Sequence, residues 1–99
     1  MNTFDKIYNL VSEIPNGKVM TYGQIAKSLN IRNSRIVGFA LHVNKNPNKV
    51  PCHRVVYSDG RLAKGFAFGG ESAQEEKLKN EGIFFEKPGV VDLSKNLWL

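Results

Sequence analysis

Apolar residues recur at helical spacing at the start of the chain. Within residues 3–13 these positions are Phe4, Ile7, Tyr8 and Val11. This interval predicts a helix with one core-facing side, with Thr3 as its N-cap. Pro15 and the Asn16-Gly17 pair then predict a turn that ends the helix.

The next apolar segments are short and separated by a tight polar turn. Thr21 and Gln24 have the spacing of a capping box, which predicts a helix with Ile25, Ala26 and Leu29 on its apolar face. After residues 30–33, either Asn33 or Ser34 caps a second helix that extends to about Val43. Two such helices predict a helix-turn-helix, whose second helix normally contacts DNA. A generic helical hairpin is the alternative.

The second half of the chain predicts one small β element and a last helix. Residues 55–57 and 62–63 are apolar and flank Asp59-Gly60, which favours a hairpin that would form a wing. Residues 71–80 predict a helix with Ala73 and Leu78 inward. Residues 97–99 either fold back onto the body or fray. The predicted fold is mainly α with a small β-hairpin, a winged helix-turn-helix in a single domain over residues 1–99.

Charge changes this picture more than composition does. The 99 residues carry a net charge of +5, and residues 14–66 hold most of the basic residues but a single acidic one, Asp59. A basic central stretch in a small domain is typical of nucleic-acid binding. No apolar run reaches the roughly 20 residues that a membrane span needs, and no leader is visible at the N-terminus. We therefore expect a cytoplasmic protein that does not bind membranes.

Cys52 is the only thiol in the sequence, so no internal disulfide can form. Pro51 restricts the backbone before it. If Pro51 opens a helical turn, the helix dipole together with His53 and Arg54 favours a thiolate, the nucleophilic form. The alternative is a small buried cysteine that only fills the core. One cysteine with His42 and His53 does not make a tetrahedral zinc site, so we expect no metal.

Three segments in order resemble signatures of the O6-alkylguanine-DNA alkyltransferase family. They are residues 19–26 (VMTYGQIA), 34–38 (SRIVG) and 51–55 (PCHRV), and Asn80-Glu81-Gly82 stands where the family has its acidic partner. The likeness extends from about Phe4 to Phe85, and the PCHRV segment is its most specific part.

The resemblance implies a winged helix-turn-helix domain that binds the DNA minor groove and turns a damaged nucleotide out of the stack. Arg35 would fill the gap left by the base, Tyr22 would press on the neighbouring phosphate, and Asn44 would tie the DNA-reading helix to the active-site loop. The remaining predicted DNA contacts are Thr21, Ser34 and Arg54. The residues expected to form the lesion pocket are Val50, Pro51, Ala67 and Phe68.

The chemistry implied by the resemblance is a displacement in which Cys52 keeps the alkyl group of guanine O6 as a thioether. His53 would take the thiol proton through a water, and Glu81 would orient the imidazole. Each molecule would act once, without metal or organic cofactor, as a monomer on duplex DNA containing O6-alkylguanine.

The sequence departs from the family in the loop at residues 65–70. The family typically has a tyrosine and a serine where this chain has Ala67 and Phe68. The family's full-length members also have an N-terminal domain that these residues do not contain. Both features resemble the short alkyltransferase-like proteins, which flag lesions for excision-repair proteins without removing the alkyl group, yet those proteins lack the cysteine.

Three hypotheses follow. The first is alkyl transfer to Cys52, because an intact Cys52, His53 and Glu81 set is typical of the enzyme. The second is a lesion sensor without catalysis that recruits excision-repair proteins. The third is a winged-helix transcription regulator, which would prefer an undamaged sequence and is usually a dimer.

Overall fold

The computed structural model describes residues 2–63 and 66–98. In chain order the helices are α1 (Thr3–Ser12), α2 (Tyr22–Ser28), α3 (Ser34–His42), α4 (Gly70–Asn80) and α5 (Leu93–Asn96). The strands are β1 (Met20–Thr21), β2 (Val55–Val56), β3 (Phe85–Lys87) and β4 (Val90–Val91), and a single 3-10 turn covers Cys52–Arg54. Across these described residues, no helix has the length and apolar character that crossing a membrane requires.

The first helix forms as its apolar spacing predicts, with Ile7 and Val11 fully buried. Its cap differs from the prediction. The side chain of Asn2, not of Thr3, accepts the hydrogen bond from the Asp5 amide at 2.9 Å, because Thr3 already has helical geometry as the first residue of the helix. The hydroxyl of Tyr8 donates to the carbonyl oxygen of Ala40 at 2.6 Å and so ties α1 to α3.

The helix-turn-helix is present as α2 and α3, which pack against each other. The capping box is confirmed: the Gln24 amide donates to Thr21 Oγ1 at 3.0 Å, and the Thr21 amide donates to Gln24 Oε1 at 3.2 Å. Of the two candidate caps for α3, Asn33 is the one used, accepting from the Arg35 amide at 2.9 Å. Asn30 turns the chain between the helices with a left-handed φ of 58°.

The mainly helical prediction is correct, but the hairpin lies elsewhere in the chain. Val55–Val56 pairs in parallel with Met20–Thr21, in the register Met20 to Val55 and Thr21 to Val56, and residues 62–63 form no strand. Residues 57–61 close only a turn, in which the Tyr57 amide donates to the Arg61 carbonyl at 2.9 Å. The antiparallel pair is β3 with β4. The predicted hairpin is wrong because β2, buried on both sides, has β1 as its partner.

The end of the described chain folds back onto the body. The Trp98 amide donates to the Val19 carbonyl at 2.8 Å, and Gln24 Nε2 donates to the Trp98 carbonyl at 2.6 Å. The Trp98 ring packs against the core that contains α1, α2 and α3. Of the two possibilities for residues 97–99, Leu97 and Trp98 therefore take the docked one, and Leu99 lies outside the described residues.

Gln74 joins α4 to the segment that carries Cys52. Its side chain is fully buried, and its Oε1 accepts from the Ala63 amide at 2.9 Å. Its Nε2 donates to the carbonyl oxygens of His53 and Val55, both at 3.0 Å. A glutamine on the inner side of a polar helix satisfies three backbone groups that would otherwise be buried without partners.

We expect Gln74→Leu to lower the free energy of unfolding by about 3 kcal/mol, because it leaves those three backbone groups without partners. Urea unfolding followed by circular dichroism measures the change. Glu76→Leu, on the exposed side of the same helix, is the control and should change stability by less than about 0.5 kcal/mol. Equal midpoints for the two variants would show that Gln74 does not hold the Cys52 segment.

Candidate functional site

A cavity of about 320 Å³ opens between α3 and the Cys52 turn. Five of the predicted site residues line it: Tyr22, Ser34, Arg35, Cys52 and Ala67. Tyr22 and Arg35 lie in the first turns of α2 and α3, so the helix-turn-helix and the thiol share one cavity. A thiol and a cationic side chain in the first turn of α3 thus face the same space.

Six further residues line this cavity and were not predicted from the sequence: Gly38, Leu41, His42, Tyr57, Ala63 and Phe66. Tyr57 is the most informative, since its side chain is 43% exposed and its ring centroid lies 5.2 Å from that of Tyr22. Tyr57 was predicted within a strand, and that prediction gave no indication that its side chain would line a cavity. A lone aromatic directly after a buried apolar pair was the available signal.

The hydroxyl group of Tyr22, a residue that lines the cavity, is un-ionised. Burial is the main cause that raises the pKa of its phenol well above the ordinary value, and the neighbouring Tyr57 and Cys52 add to the rise. The side chain therefore offers an O–H donor across the physiological range.

Cys52 begins a 3-10 turn directly after Pro51, which meets the condition set in the sequence analysis, and its side chain is buried. Burial raises the pKa of the thiol above its ordinary value, while a hydrogen bond from Asn44 and the charge of Lys77 oppose the rise. The expectation that the turn, His53 and Arg54 would make a ready thiolate is therefore wrong for this state, because desolvation of the charged form outweighs them. A base must remove the proton when the thiol reacts.

Asn44 bridges the end of α3 and the loop before Cys52. Its Nδ2 donates to the Val50 carbonyl at 3.0 Å, and its Oδ1 accepts from the Asn46 amide at 3.1 Å. Asn44 is buried, and its side chain acts to lower the pKa of the Cys52 thiol against the effect of burial. Asn44 thus joins the residues that follow α3 to the loop before Cys52.

His53, Glu81 and Arg54 form one connected network next to Cys52. His53 Nε2 lies 2.8 Å from Glu81 Oε2. Arg54 binds the same carboxylate at both oxygens, with Nε at 2.9 Å from Oε1 and Nη2 at 2.8 Å from Oε2. Burial alone would raise the pKa of Glu81, but the hydrogen bonds from Arg54 and His53 outweigh it and hold that pKa below its ordinary value.

This network fixes the form of the imidazole. Burial lowers the pKa of His53 below its ordinary value, with Arg54 and Lys77 adding to the effect and Glu81 opposing it. A neutral ring beside an ionised carboxylate donates from Nε2, so Nδ1 is its unprotonated nitrogen. His53 is thus arranged as a proton acceptor.

Besides Asn44, His53 and Glu81, five predicted site residues do not line the cavity. Thr21 is buried as the cap of α2, and Phe68 packs edge-on against Phe66, with ring centroids 5.8 Å apart. Val50 and Pro51 are buried and do not line the cavity. Arg54 was expected on DNA, but its guanidinium faces inward to Glu81 and to the Ile14 carbonyl. Gly65, in the loop predicted at residues 65–70, lies outside the described residues.

Comparisons with known proteins agree on one family. Residues 2–83 match the model of the 6-O-methylguanine DNA methyltransferase DNA-binding domain. The chain is 36% identical to alkyltransferase-like protein 1 of Schizosaccharomyces pombe, over 95% of this chain and 88% of that protein. It is 44% identical to the methylated-DNA–protein-cysteine methyltransferase of Methanosarcina acetivorans, over 77% of this chain but only 48% of that protein.

The fold comparison reaches the whole chain. The S. pombe Atl1 crystal structure in complex with damaged DNA containing O6-carboxymethylguanine is similar with a TM-score of 0.82 and 34% identity. The match covers 100% of this chain and 99% of that one. The helix-turn-helix and the small sheets described above are therefore those of this DNA-binding domain.

We expect the protein to lose stability in mild acid through His53. The pKa of His53 is lower in the folded protein than its ordinary value of 6.5, so the unfolded chain binds more protons there. Stability from this group is complete above that value and is lost as the pH falls through it. The lowered pKa of Glu81 acts in the same direction at more acidic pH.

Urea unfolding of wild type and His53→Gln at about pH 7.5 and at about pH 5 measures this effect. The free energy of unfolding should fall more steeply with acid in the wild type than in the variant. Parallel curves would mean that His53 titrates alike in the folded and unfolded chains.

Proposed function

The chain belongs to the 6-O-methylguanine DNA methyltransferase family, and on that premise we propose that it repairs duplex DNA by transferring the alkyl group of O6-alkylguanine to Cys52. One observation carries the proposal: the cavity that Tyr22 and Arg35 line on the helix-turn-helix also contains Cys52. A base turned out of the duplex into this cavity meets the thiol directly.

DNA engagement rests on α3. Arg35 and Ser34 are exposed in its first turn at the mouth of the cavity. Arg35 enters the stack in place of the extruded nucleotide, while Tyr22 faces the backbone next to it. Base extrusion costs a few kcal/mol, less for a poorly paired base, so the step itself favours a damaged guanine.

The transfer is a displacement at the alkyl carbon. The bond from that carbon to Cys52 Sγ forms as the bond to guanine O6 breaks, and the electron pair of the broken bond remains on the guanine. The thiol proton passes through a water to Nδ1 of His53. The displaced guanine carries a negative charge, and it takes up this proton to become neutral guanine. Glu81 holds the imidazole in place during both transfers.

A second candidate function is lesion sensing without transfer, and two observations favour it. The cavity has Ala67 where the family typically has a polar side chain, so stabilisation of the leaving O6 is weaker. The match to alkyltransferase-like protein 1 covers nearly all of both chains. In that case the bound lesion would recruit excision-repair proteins.

Intact-protein mass spectrometry after incubation with a duplex containing one O6-methylguanine tests transfer. We expect the wild type to gain about 14 Da, one methylene, and the modification to map to Cys52, because the thioether does not hydrolyse. Cys52→Ala should bind the same duplex without gaining mass. Lesion-selective binding by both proteins with no gain in either would replace transfer with sensing.

Arg35→Ala should weaken binding to lesion-containing duplex at least tenfold, or about 1.4 kcal/mol, because the extruded state loses the side chain that fills its gap. Fluorescence anisotropy with damaged and undamaged duplexes measures both affinities. Lys87→Ala removes an exposed cation on β3 and serves as the charge control. An equal loss in the two variants would reduce Arg35 to a general electrostatic contact.

A further inference from the structure

The guanidinium group of Arg54 is hydrogen-bonded to groups within the protein. Nε and Nη2 bind the two oxygens of Glu81 at 2.9 and 2.8 Å, and Nη1 donates to the Ile14 carbonyl at 2.7 Å. The side chain is 16% exposed. This two-point grip fixes the carboxylate in position and in rotation, which a single point charge does not achieve.

The same carboxylate accepts from His53. His53 Nε2 and Arg54 Nη2 both lie 2.8 Å from Glu81 Oε2. A histidine alone with a partly buried carboxylate gains a proton readily, because the ion pair stabilises the imidazolium. A second, permanent cation on that carboxylate removes this advantage.

We propose that Arg54 is a positioning residue for His53: it holds the Glu81 carboxylate where Nε2 can donate to it and balances its charge, so that His53 remains uncharged with Nδ1 as acceptor. The importance of this arrangement for alkyl transfer rests on the proposed function above. The effect of Arg54 on the protonation of His53 does not depend on that function.

The other charges around His53 agree with this role. Three charged groups act on its ring: Glu81 at the end of α4, Arg54 on its own turn, and Lys77 on α4. Two cations and one anion around a mostly buried imidazole disfavour a further positive charge. Among the described neighbours that act on the ring, Arg54 alone also contacts the carboxylate that the ring uses.

NMR titration of the histidine ring protons tests the proposal without DNA. The sequence has two histidines, so His42→Asn assigns the signals. In the wild type we expect the His53 midpoint below 6.5, the ordinary value. Arg54→Gln keeps hydrogen-bond donors but removes the charge, and it should raise that midpoint by about one pH unit or more. Arg54→Lys keeps the charge without the fork and should raise it by less.

Two comparisons separate this role from a structural one. Arg61 forms an exposed pair with Asp59, its Nε 2.7 Å from Oδ2, so Arg61→Gln is the matched control and should leave the His53 midpoint unchanged. If Arg54 acts through Glu81, Arg54→Gln should shift the midpoint less in a Glu81→Gln background than in the wild type. A wild-type midpoint at or above 6.5 overturns the proposal even if Arg54→Gln does not fold, and so does an unchanged midpoint in folded Arg54→Gln.

Measuring the rate of methyl transfer as a function of pH tests whether Arg54 affects the reaction through His53. His53 accepts a proton only when neutral, so a raised pKa moves the rising limb of the profile to higher pH. Arg54→Gln should therefore be slow near neutrality and regain rate in alkali, whereas damage to the fold lowers the rate at every pH. A wild type that transfers no methyl group would refute the proposed function and leave the NMR result to decide the role of Arg54.

Discussion

The parallel pairing of Met20–Thr21 with Val55–Val56 is the constraint on which the site depends. β1 runs directly into the cap of α2, and β2 directly follows the turn that contains Cys52. Two residues of each strand thus bring the start of the helix-turn-helix next to the thiol. Both strands are buried, so a slip of one residue would force the close-packed side chains around them to repack. Tyr22 and Cys52 share a cavity for this reason.

Burial makes the Cys52 segment rigid, but it also shifts the pKa values of Cys52 and His53. It gives the Cys52 segment a rigid frame, through Asn44 on one side and Gln74 on the other. It also raises the pKa of the thiol and lowers that of His53, so proton transfer begins from a neutral thiol and a neutral base. Such a pair is less reactive at rest than a thiolate with an imidazolium, but it costs little to bury. The proposed displacement, which would happen once per molecule, would tolerate this because no turnover rate has to be sustained.

Much of the fold and part of the site could be predicted from the sequence. Local signals were sufficient for the Thr21–Gln24 capping box and for the two short helices, because neighbouring residues alone decide those features. The partner of Val55–Val56 could not be predicted, since Asp59-Gly60 indicates a turn but not which strand pairs with which. Arg54 and Tyr57 were misjudged for a related reason: whether an arginine faces DNA or a buried carboxylate depends on where Glu81 lies, 27 residues away in the chain.

The choice between transfer and sensing depends on how the cavity treats the guanine oxygen that leaves. Among the residues that line it, Ala63, Phe66 and Ala67 offer no side-chain donor, whereas Tyr22, Tyr57 and Ser34 supply hydroxyl groups. A cavity built only to recognise a lesion needs no acceptor for a thiol proton. Here, however, a partly buried carboxylate is held by an arginine and lies against His53, the residue that directly follows Cys52 in the chain. Partial burial of that ion pair carries a desolvation cost that recognition alone does not require, and this cost supports the proposed transfer over sensing.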